Sequence, residues 1–526
     1  MNSQIYMKQQ KIFLCLIISI TTFIIYSNVI NGKFLYDDEH FILRNVFITD
    51  WKYIKHIFTT NVTAGAGLKD NFYRPLSVFI WLIINKTFGL NNNIFHLVNI
   101  FVHIINSILI FLILDKFFNN YLAAFCGSMF FSVHPVNTEA VSYISGLSDP
   151  LSFCFILICI SLYLSLRKSF KWIQFILFIF SFILAVLAKE RAVVLPALMV
   201  ITEIYMRIKE EKQLKKYDYK NFNLYILYSC SVLVVILWFI SRLTFLNFQN
   251  TFNFYKIQNV YSQNIFVRIF TFLNNFLKYI ILIIVPYPLY MNHPPIVFTT
   301  FFAVPVITGF ITIVGLFLFS IMKIKNSPEF LFSYLWFLIC LLPTSGIIPI
   351  NAIFMEHWLY FSLFSVATII AFLVSKYKKL KYGFYTIFVI FCILTYKQNF
   401  VWQEPYTFFK HILKYNPESV AANNNFAMAA EEKGEVELAI KHYKKAISLD
   451  NSFPQPHHNL ARIYLSLGKV DEAINEFNEA LKIDPDFIYS HIELSQLYKR
   501  LNQEEKAEYH QRKIKEILSK ITYLDK

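Results

Sequence analysis

A chain of 526 residues that is 56% hydrophobic, 18% aromatic and only 16% charged, with a mean hydropathy of +0.47, is too apolar for a soluble protein of this length. Most of it is expected in lipid, where the formal net charge of +15 marks cytoplasmic loops rather than a nucleic-acid surface. The seven cysteines, Cys15, Cys126, Cys154, Cys159, Cys230, Cys340 and Cys392, lie in or beside apolar runs with no CxxC pair. They read as small buried hydrophobes, not as metal ligands or disulfides.

Lys8 and Lys11 open an apolar run over 11–30 that is too long for a signal-peptide core and lacks a small-x-small cleavage site, so an uncleaved first span is expected. Further spans are expected at 94–115, 121–137, 148–166, 172–188, 190–206, 222–243, 302–322, 329–349, 354–374 and 379–397, eleven in all. With the N-terminus inside, the basic loops fall in the cytoplasm: Arg167, Lys168 and Lys171; Arg207 to Lys220, with six basic and three acidic residues; Lys323 and Lys325; and Lys376, Lys378, Lys379 and Lys381. The stretch 265–290 is apolar enough to cross, but a crossing would carry the later basic loops outside. It is therefore expected to lie along or dip into the outer surface. Everything after 397 is then extracytoplasmic.

The first outer loop, 31–77, opens on Tyr36-Asp37-Asp38-Glu39-His40, where three carboxylates and an imidazole mark the return to water at a membrane surface. Trp51, Tyr53, Ile54, Ile57 and Phe58 keep helical spacing until Gly65 and Gly67 break it. At the other end of the chain, Gly434, Gly468 and Asn502 recur at 34 residues, as do Ala439, Ala473 and Ala507; Tyr443 answers to Phe477 and Ala446 to Ala480. A period of 34 with small residues at helix crossings is the tetratricopeptide pattern. The chain thus reads as all-α: a polytopic module over 1–397, a lead-in helix over 398–417, a tetratricopeptide α-solenoid over 418–516 and a tail over 517–526.

On this topology the polar groups of the membrane module gather at the outer face: the Tyr36–His40 cluster, Arg74, His134, Glu139, Asp149, Lys189-Glu190-Arg191, and Glu356 with His357. Each has a plainer reading. Asp37, Asp38 and Glu39 can cap an interfacial helix, His134 before Pro135 can be a turn residue, and Glu139 and Asp149 can pair with Lys189 or Arg191. The stripe His96, Asn99, His103 and Asn106 reads as interhelical hydrogen bonding. Chemically, a carboxylate at the mouth of an apolar groove can act as general base toward a hydroxyl, while Arg74, Lys189, Arg191 or Arg242 can hold a leaving phosphate. Paired acids can equally bind a divalent metal, though Asp37-Asp38 lacks the intervening residue of an Asp-x-Asp element.

The chain resembles the protein O-mannosyltransferase group of lipid-phosphosugar-dependent glycosyltransferases, in the branch fused to tetratricopeptide repeats. The resemblance rests on Tyr36 to His40; Phe72-Tyr73-Arg74-Pro75-Leu76; Phe95-His96-Leu97-Val98-Asn99 with His103; and His134-Pro135-Val136-Asn137-Thr138-Glu139-Ala140-Val141 through Gly146 to Asp149. It continues in Ala188-Lys189-Glu190, Lys278-Tyr279 with Pro288-Leu289, and Glu356-His357-Trp358-Leu359-Tyr360. It implies a GT-C-type core of eleven spans that moves a sugar, mannose in the eponymous members, from a polyprenyl phosphate carrier to protein serine or threonine hydroxyls, with inversion. It implies that the essential carboxylate is one of the acidic pair, Asp38 as base with Asp37 beside it, and that Glu39, His40, His134, Glu139, Asp149, Glu190, Glu356 and His357 support them. Arg191 stands where relatives commonly have a small residue, and His357 where they usually have Arg. The expected partners are the polyprenyl phosphate sugar, an acceptor protein or peptide presented by the repeats, and membrane lipid; no nucleic acid is expected. The expected setting is a bacterial or archaeal plasma (inner) membrane. The rival readings are a non-enzymatic membrane-anchored repeat scaffold, and a transferase acting on a lipid or glycan.

Overall fold

The computed structural model describes residues 2–211, 222–244, 246, 248, 253, 255, 258–350 and 352–522. Of the basic stretch from Arg207 to Lys220, residues 212–220 lie outside the described residues, as do residues 523–526 of the expected tail. The described residues contain no strand. They fall into two units, 1–403 and 404–526.

The first unit runs α1 (Asn2–Tyr26), α2 (Ile54–Thr59), α3 (Pro75–Phe88), α4 (Asn92–Phe118), α5 (Tyr121–Val133), α6 (Thr138–Ser142), α7 (Ser148–Leu166) and α8 (Trp172–Ala188). It continues with α9 (Leu195–Glu211), α10 (Phe222–Leu243), α11 (Val260–Gln263), α12 (Ile265–Ile284), α13 (Val304–Lys323), α14 (Glu329–Leu341), α15 (Leu359–Lys376) and α16 (Leu380–Asn399). Asparagine starts many of these helices by accepting an otherwise unpaired N–H: Asn91 from Asn93, Asn120 from Ala123 and Asn264 from Phe266. Pro75 sits in the first turn of α3, where its missing N–H leaves nothing unpaired.

Among the described residues eight helices, α1, α4, α7, α10, α12, α13, α15 and α16, are long and apolar enough to cross a membrane, and the chain is a multi-pass membrane protein. Seven of them fall on expected spans. Three other expected spans, 121–137, 172–188 and 329–349, are the shorter apolar helices α5, α8 and α14. The eleventh, 190–206, falls on α9, whose second half carries Glu203, Arg207, Lys209, Glu210 and Glu211. The eighth long helix is α12, expected at the surface. Its 20 residues rise about 30 Å, the thickness of a hydrocarbon core.

The first loop does not lie loose on the surface. Ile42, Ile48, Ile57 and Val62 are buried in one cluster with Trp81 and Leu82 of α3, Phe95 of α4 and Leu151 of α7. Asn45 fixes its fold, donating to Phe41 O and Val62 O at 3.0 Å each. The expected helix near Trp51–Phe58 is a 3₁₀ turn, Trp51–Tyr53, leading into α2, and residues 75–88, partly counted as loop, form the 14-residue helix α3. The α4 stripe does bond across elements: Asn99 to Tyr143 O at 2.8 Å, His103 to Tyr360 Oη at 2.7 Å and Asn106 to Pro150 O at 2.8 Å.

In the second unit α17 (Pro405–Tyr415) precedes three helix pairs: α18 (Val420–Glu432) and α19 (Val436–Leu449), α20 (Pro454–Ser466) and α21 (Val470–Ile483), α22 (Ile488–Arg500) and α23 (Glu504–Thr522). The lead-in helix is therefore narrower than 398–417, because α16 ends at Asn399 and a 3₁₀ turn, Phe400–Trp402, intervenes. Each pair turns on a left-handed residue, Gly434 (φ 77°), Gly468 (φ 75°) and Asn502 (φ 56°), a conformation that glycine and asparagine tolerate best. Ala427, Ala430 and Ala439 are buried where the first pair packs, and Ala473 and Ala507 where the next two do. A polar rung crosses each pair at the same register: Asn423 to His442, His457 to Glu476 and His491 to His510, at 2.8, 2.6 and 2.7 Å.

Candidate active site

Tyr36 adopts φ 46°, a left-handed conformation unusual for an aromatic residue, immediately before the acidic pair. The two aspartates then meet different surroundings. Asp38 is fully buried. Its Oδ2 accepts from Leu35 N at 2.8 Å, and its Oδ1 accepts from Ser145 N at 2.9 Å and from the Ser145 hydroxyl. It pins the first loop to the turn after α6. Gly146 completes that turn; a Cβ there would stand 2.7 Å from Ala140 O. Asp37 remains partly exposed and faces Arg74, Asp70, His357 and the Tyr143 hydroxyl, which accepts from Asp37 N at 2.9 Å. Burial raises the Asp37 carboxyl to about 6, with Tyr143 and Arg74 opposing it, and raises Asp38 to about 7 against its three donors.

Asp149, in the first turn of α7, binds Lys189 Nζ at 2.5 Å and Arg191 at 3.4 Å, and His357 Nε2 lies 3.9 Å away. His357 reaches Glu139 with its Nδ1 and its backbone N, both at 2.8 Å. Burial works against the Glu139 charge, but the His357 ring more than offsets it and holds the carboxyl below its ordinary value. Burial pushes Lys189 down to about 8, with Asp149 resisting. The guanidinium of Arg191 also donates to Cys340 O at 2.9 Å and Trp358 O at 2.8 Å and covers Phe361, so it fastens three segments. Arg242 donates to Asn71 O at 2.5 Å, at the edge of the cluster. Arg74 is the less committed cation: its guanidinium stands over Phe72, its nearest carboxylate oxygen, on Glu190, is 3.7 Å away, and among the described residues its buried Nε has no hydrogen-bond partner.

Asp37, Asp38, Arg74, Glu139, Asp149, Lys189, Glu190, Arg191 and His357 thus converge from separate segments of the first unit, with Glu356 beside them. Glu356 accepts from Tyr290 N at 2.7 Å, and His293 Nε2 lies 3.1 Å from it. His134 does not join. Val136 N–H donates to its Nδ1, so its Nε2–H donates to Ile283 O, and burial holds the ring near 4, neutral, between Phe130 and Phe391. Glu39 turns away to Arg44 at 2.5 Å, and His40 shares its π-helical turn, Glu39–Leu43. Three contributors escaped sequence reasoning. Tyr143 and Ser145 lie inside the stretch leading to Gly146 but are uncharged, and Asp70, four residues before Arg74, is occupied by Thr63 and Phe72 N. Among the described residues no three His, Cys, Asp or Glu side chains are grouped to hold a metal ion.

The fold and the cluster define an all-α, multi-pass membrane protein with a charged site built at the loops of its apolar module and a helical repeat array as its second unit. The repeats match the tetratricopeptide repeat family model over residues 432–468 and 461–502. The chain is similar to protein O-mannosyl-transferase Tmtc1 of Drosophila melanogaster, 28% identical over 208 residues, 38% of this chain and 24% of that protein. It is similar to protein O-mannosyl-transferase TMTC1 of Homo sapiens, 33% identical over 132 residues, 24% of this chain and 15% of that protein. It is also similar to protein O-mannosyl-transferase F38B6.6 of Caenorhabditis elegans, 23% identical over 452 residues, 82% of this chain and 62% of that protein. The chain thus spans less than two thirds of the length of each of these relatives. The likeness is to protein O-mannosyl-transferases over part of their length, and the chain carries tetratricopeptide repeats.

Proposed function

We propose that this protein is a membrane glycosyltransferase that moves a sugar, mannose by analogy with the names of its relatives, from a polyprenyl phosphate carrier to serine or threonine hydroxyls of a protein on the extracytoplasmic face. The observation that carries this reading is a half-open carboxylate, Asp37, beside the under-committed Arg74 and the Lys189–Asp149 pair. Asp37 takes the hydroxyl proton as the acceptor oxygen attacks the anomeric carbon from the side opposite the phosphate. The sugar–phosphate bond breaks with its electron pair leaving on the polyprenyl phosphate, so configuration inverts. Proton transfer of this kind is worth roughly 10²- to 10⁴-fold, and Arg74 and Lys189 stabilise the charge growing on the phosphate.

This assigns to Asp37 the role expected of Asp38, whose oxygens are taken by Leu35 and Ser145. Arg191, tied to Asp149, Cys340 O and Trp358 O, becomes a fastener and not a phosphate ligand. Asp38, Asp70, Glu139 and Asp149 are each occupied by protein donors, so the step is written on Asp37, Arg74 and Lys189 alone. The distribution of basic loops supports a plasma-membrane orientation with the N-terminus in the cytoplasm and the repeats outside. The test incubates purified protein with a panel of polyprenyl phosphate sugars and serine- or threonine-containing peptides. Sugar transfer that is lost in Asp37→Asn, with the carrier still bound, supports the reading; a protein inert with every donor, or an Asp37→Asn variant with undiminished turnover, overturns it.

A further inference from the structure

The hydroxyl of Tyr143 accepts from the Asp37 backbone N–H at 2.9 Å and faces its carboxyl, whose charged form it favours. Tyr143 is itself held rigidly. It is buried, its carbonyl accepts from Asn99 Nδ2 at 2.8 Å and from Gly146 N at 3.0 Å, and its ring stacks on Trp402 with centroids 5.6 Å apart and planes at 29°. Trp402 is buried too, and the segment around it is laced to the chain that carries Asp37. Gln403 O accepts from Lys33 N at 2.7 Å, Gln403 Nε2 donates to Asn28 O at 2.7 Å, and Asn399 Nδ2 donates to Ile25 O at 2.9 Å. Asn399 Oδ1 in turn accepts from Ser142, the residue before Tyr143, at 2.8 Å. Three stretches distant in sequence, 25–37, 142–145 and 399–403, therefore interlock behind one carboxylate.

We propose that Tyr143 is a positioning residue for Asp37, and that Trp402, stacked on Tyr143, makes the segment leading to the repeats part of the support of the catalytic loop. The proposal rests on the reading of Asp37 as the base. A base must present one oxygen to the acceptor hydroxyl, and a carboxylate at the end of a loop turns about its Cβ–Cγ bond unless something holds the other oxygen. Tyr143 holds the Asp37 backbone N–H from a second element and stands against its carboxyl, and Trp402 fixes the tyrosine ring from a third. The remaining charged and titratable groups that face Asp37 are Tyr36, Asp38 and Asp70 of the first loop, Arg74 before α3, and His357 before α15. Removing the neutral Tyr143 hydroxyl changes none of these charges, so the charge pattern around Asp37 stays intact.

The test uses the full-length protein. Tyr143→Phe keeps the ring and its stack and removes only the hydroxyl; Trp402→Phe is the conservative partner and Trp402→Ala the disruptive one. Transfer is followed against pH, and the Asp37 carboxyl is titrated directly by infrared difference spectroscopy with Asp37→Asn as the blank. Because the Tyr143 hydroxyl favours the charged carboxylate, its loss is expected to move the acid limb and the infrared titration upward by about half a pH unit or more. Turnover should fall about tenfold with the KM for the carrier sugar unchanged. Trp402→Ala should shift both in the same direction and Trp402→Phe restore them. An infrared titration unmoved in Tyr143→Phe overturns the Tyr143–Asp37 link. A shifted titration accompanied by full turnover in Asp37→Asn overturns the catalytic role and the base reading while leaving the structural link in place.

Discussion

At the Asp37 carboxyl, burial exceeds the combined help of Tyr143 and Arg74 and sets the group at about 6 instead of the ordinary 3.8. A general base works only when ionised, so activity should be high at neutral pH and fall as pH drops through about 6, along a one-proton limb in kcat/KM. Asp38 answers to a different measurement. In Asp38→Asn one carboxylate oxygen becomes an NH₂ that faces the N–H of Leu35 or Ser145, leaving a buried donor unsatisfied. A loss of about 1–3 kcal/mol is expected, read as a lower denaturation midpoint in detergent. The acidic pair, Arg74 and Lys189 were legible in the sequence because charge at an apolar boundary is conspicuous. Which aspartate is open was not, since that depends on Ser145, more than a hundred residues away, and a serine carries no signal of its own.

The loops between helices divide into those that present a charge and those that fasten one. Arg191 binds the end of α14 through Cys340 O, the turn before α15 through Trp358 O, and α7 through Asp149. Arg191→Met should therefore lower stability by about 1.5–3 kcal/mol with little change in the KM for the carrier sugar. Arg74→Lys loses the planar fork suited to phosphate and should raise that KM several-fold at unchanged stability. Comparing thermal midpoints with donor titrations separates the two. At α12, length and composition permit a crossing, yet the charge rule requires both its ends outside, since a crossing would move the loops at Lys323 and Lys376 across. Single cysteines at the exposed positions Gln263 and Val285 should both react with an impermeant reagent added from outside; protection at Val285 alone would mean that α12 crosses and would invert everything downstream. The apolar runs announced most helices, but their ends were set by side-chain caps and by Pro75. For that reason α3 begins inside the stretch whose composition reads as the first outer loop.

Across the whole molecule, the repeat array was legible residue by residue because its period is covalent. The left-handed positions 434, 468 and 502 must recur if the helix pairs are to stack, and the alanines must recur if they are to pack closely. The polar rungs share that period but change chemistry from Asn–His to His–Glu to His–His, which hid them. An acceptor held by such an array would meet the site at a raised local concentration, with nothing added to the bond-making step. A chain ending after Gln403 retains the compact first unit, with Trp402 still stacked on Tyr143. On short peptides it should keep kcat within about twofold, while on folded or extended protein acceptors its KM should rise at least tenfold. A chain ending before Asn399 removes the lacing to Ile25 and Ser142 as well as the repeats, and should lose kcat on both kinds of acceptor. Equal losses from the two truncations on peptides would mean that the repeats themselves sustain the chemistry; a difference confined to KM assigns them to acceptor capture.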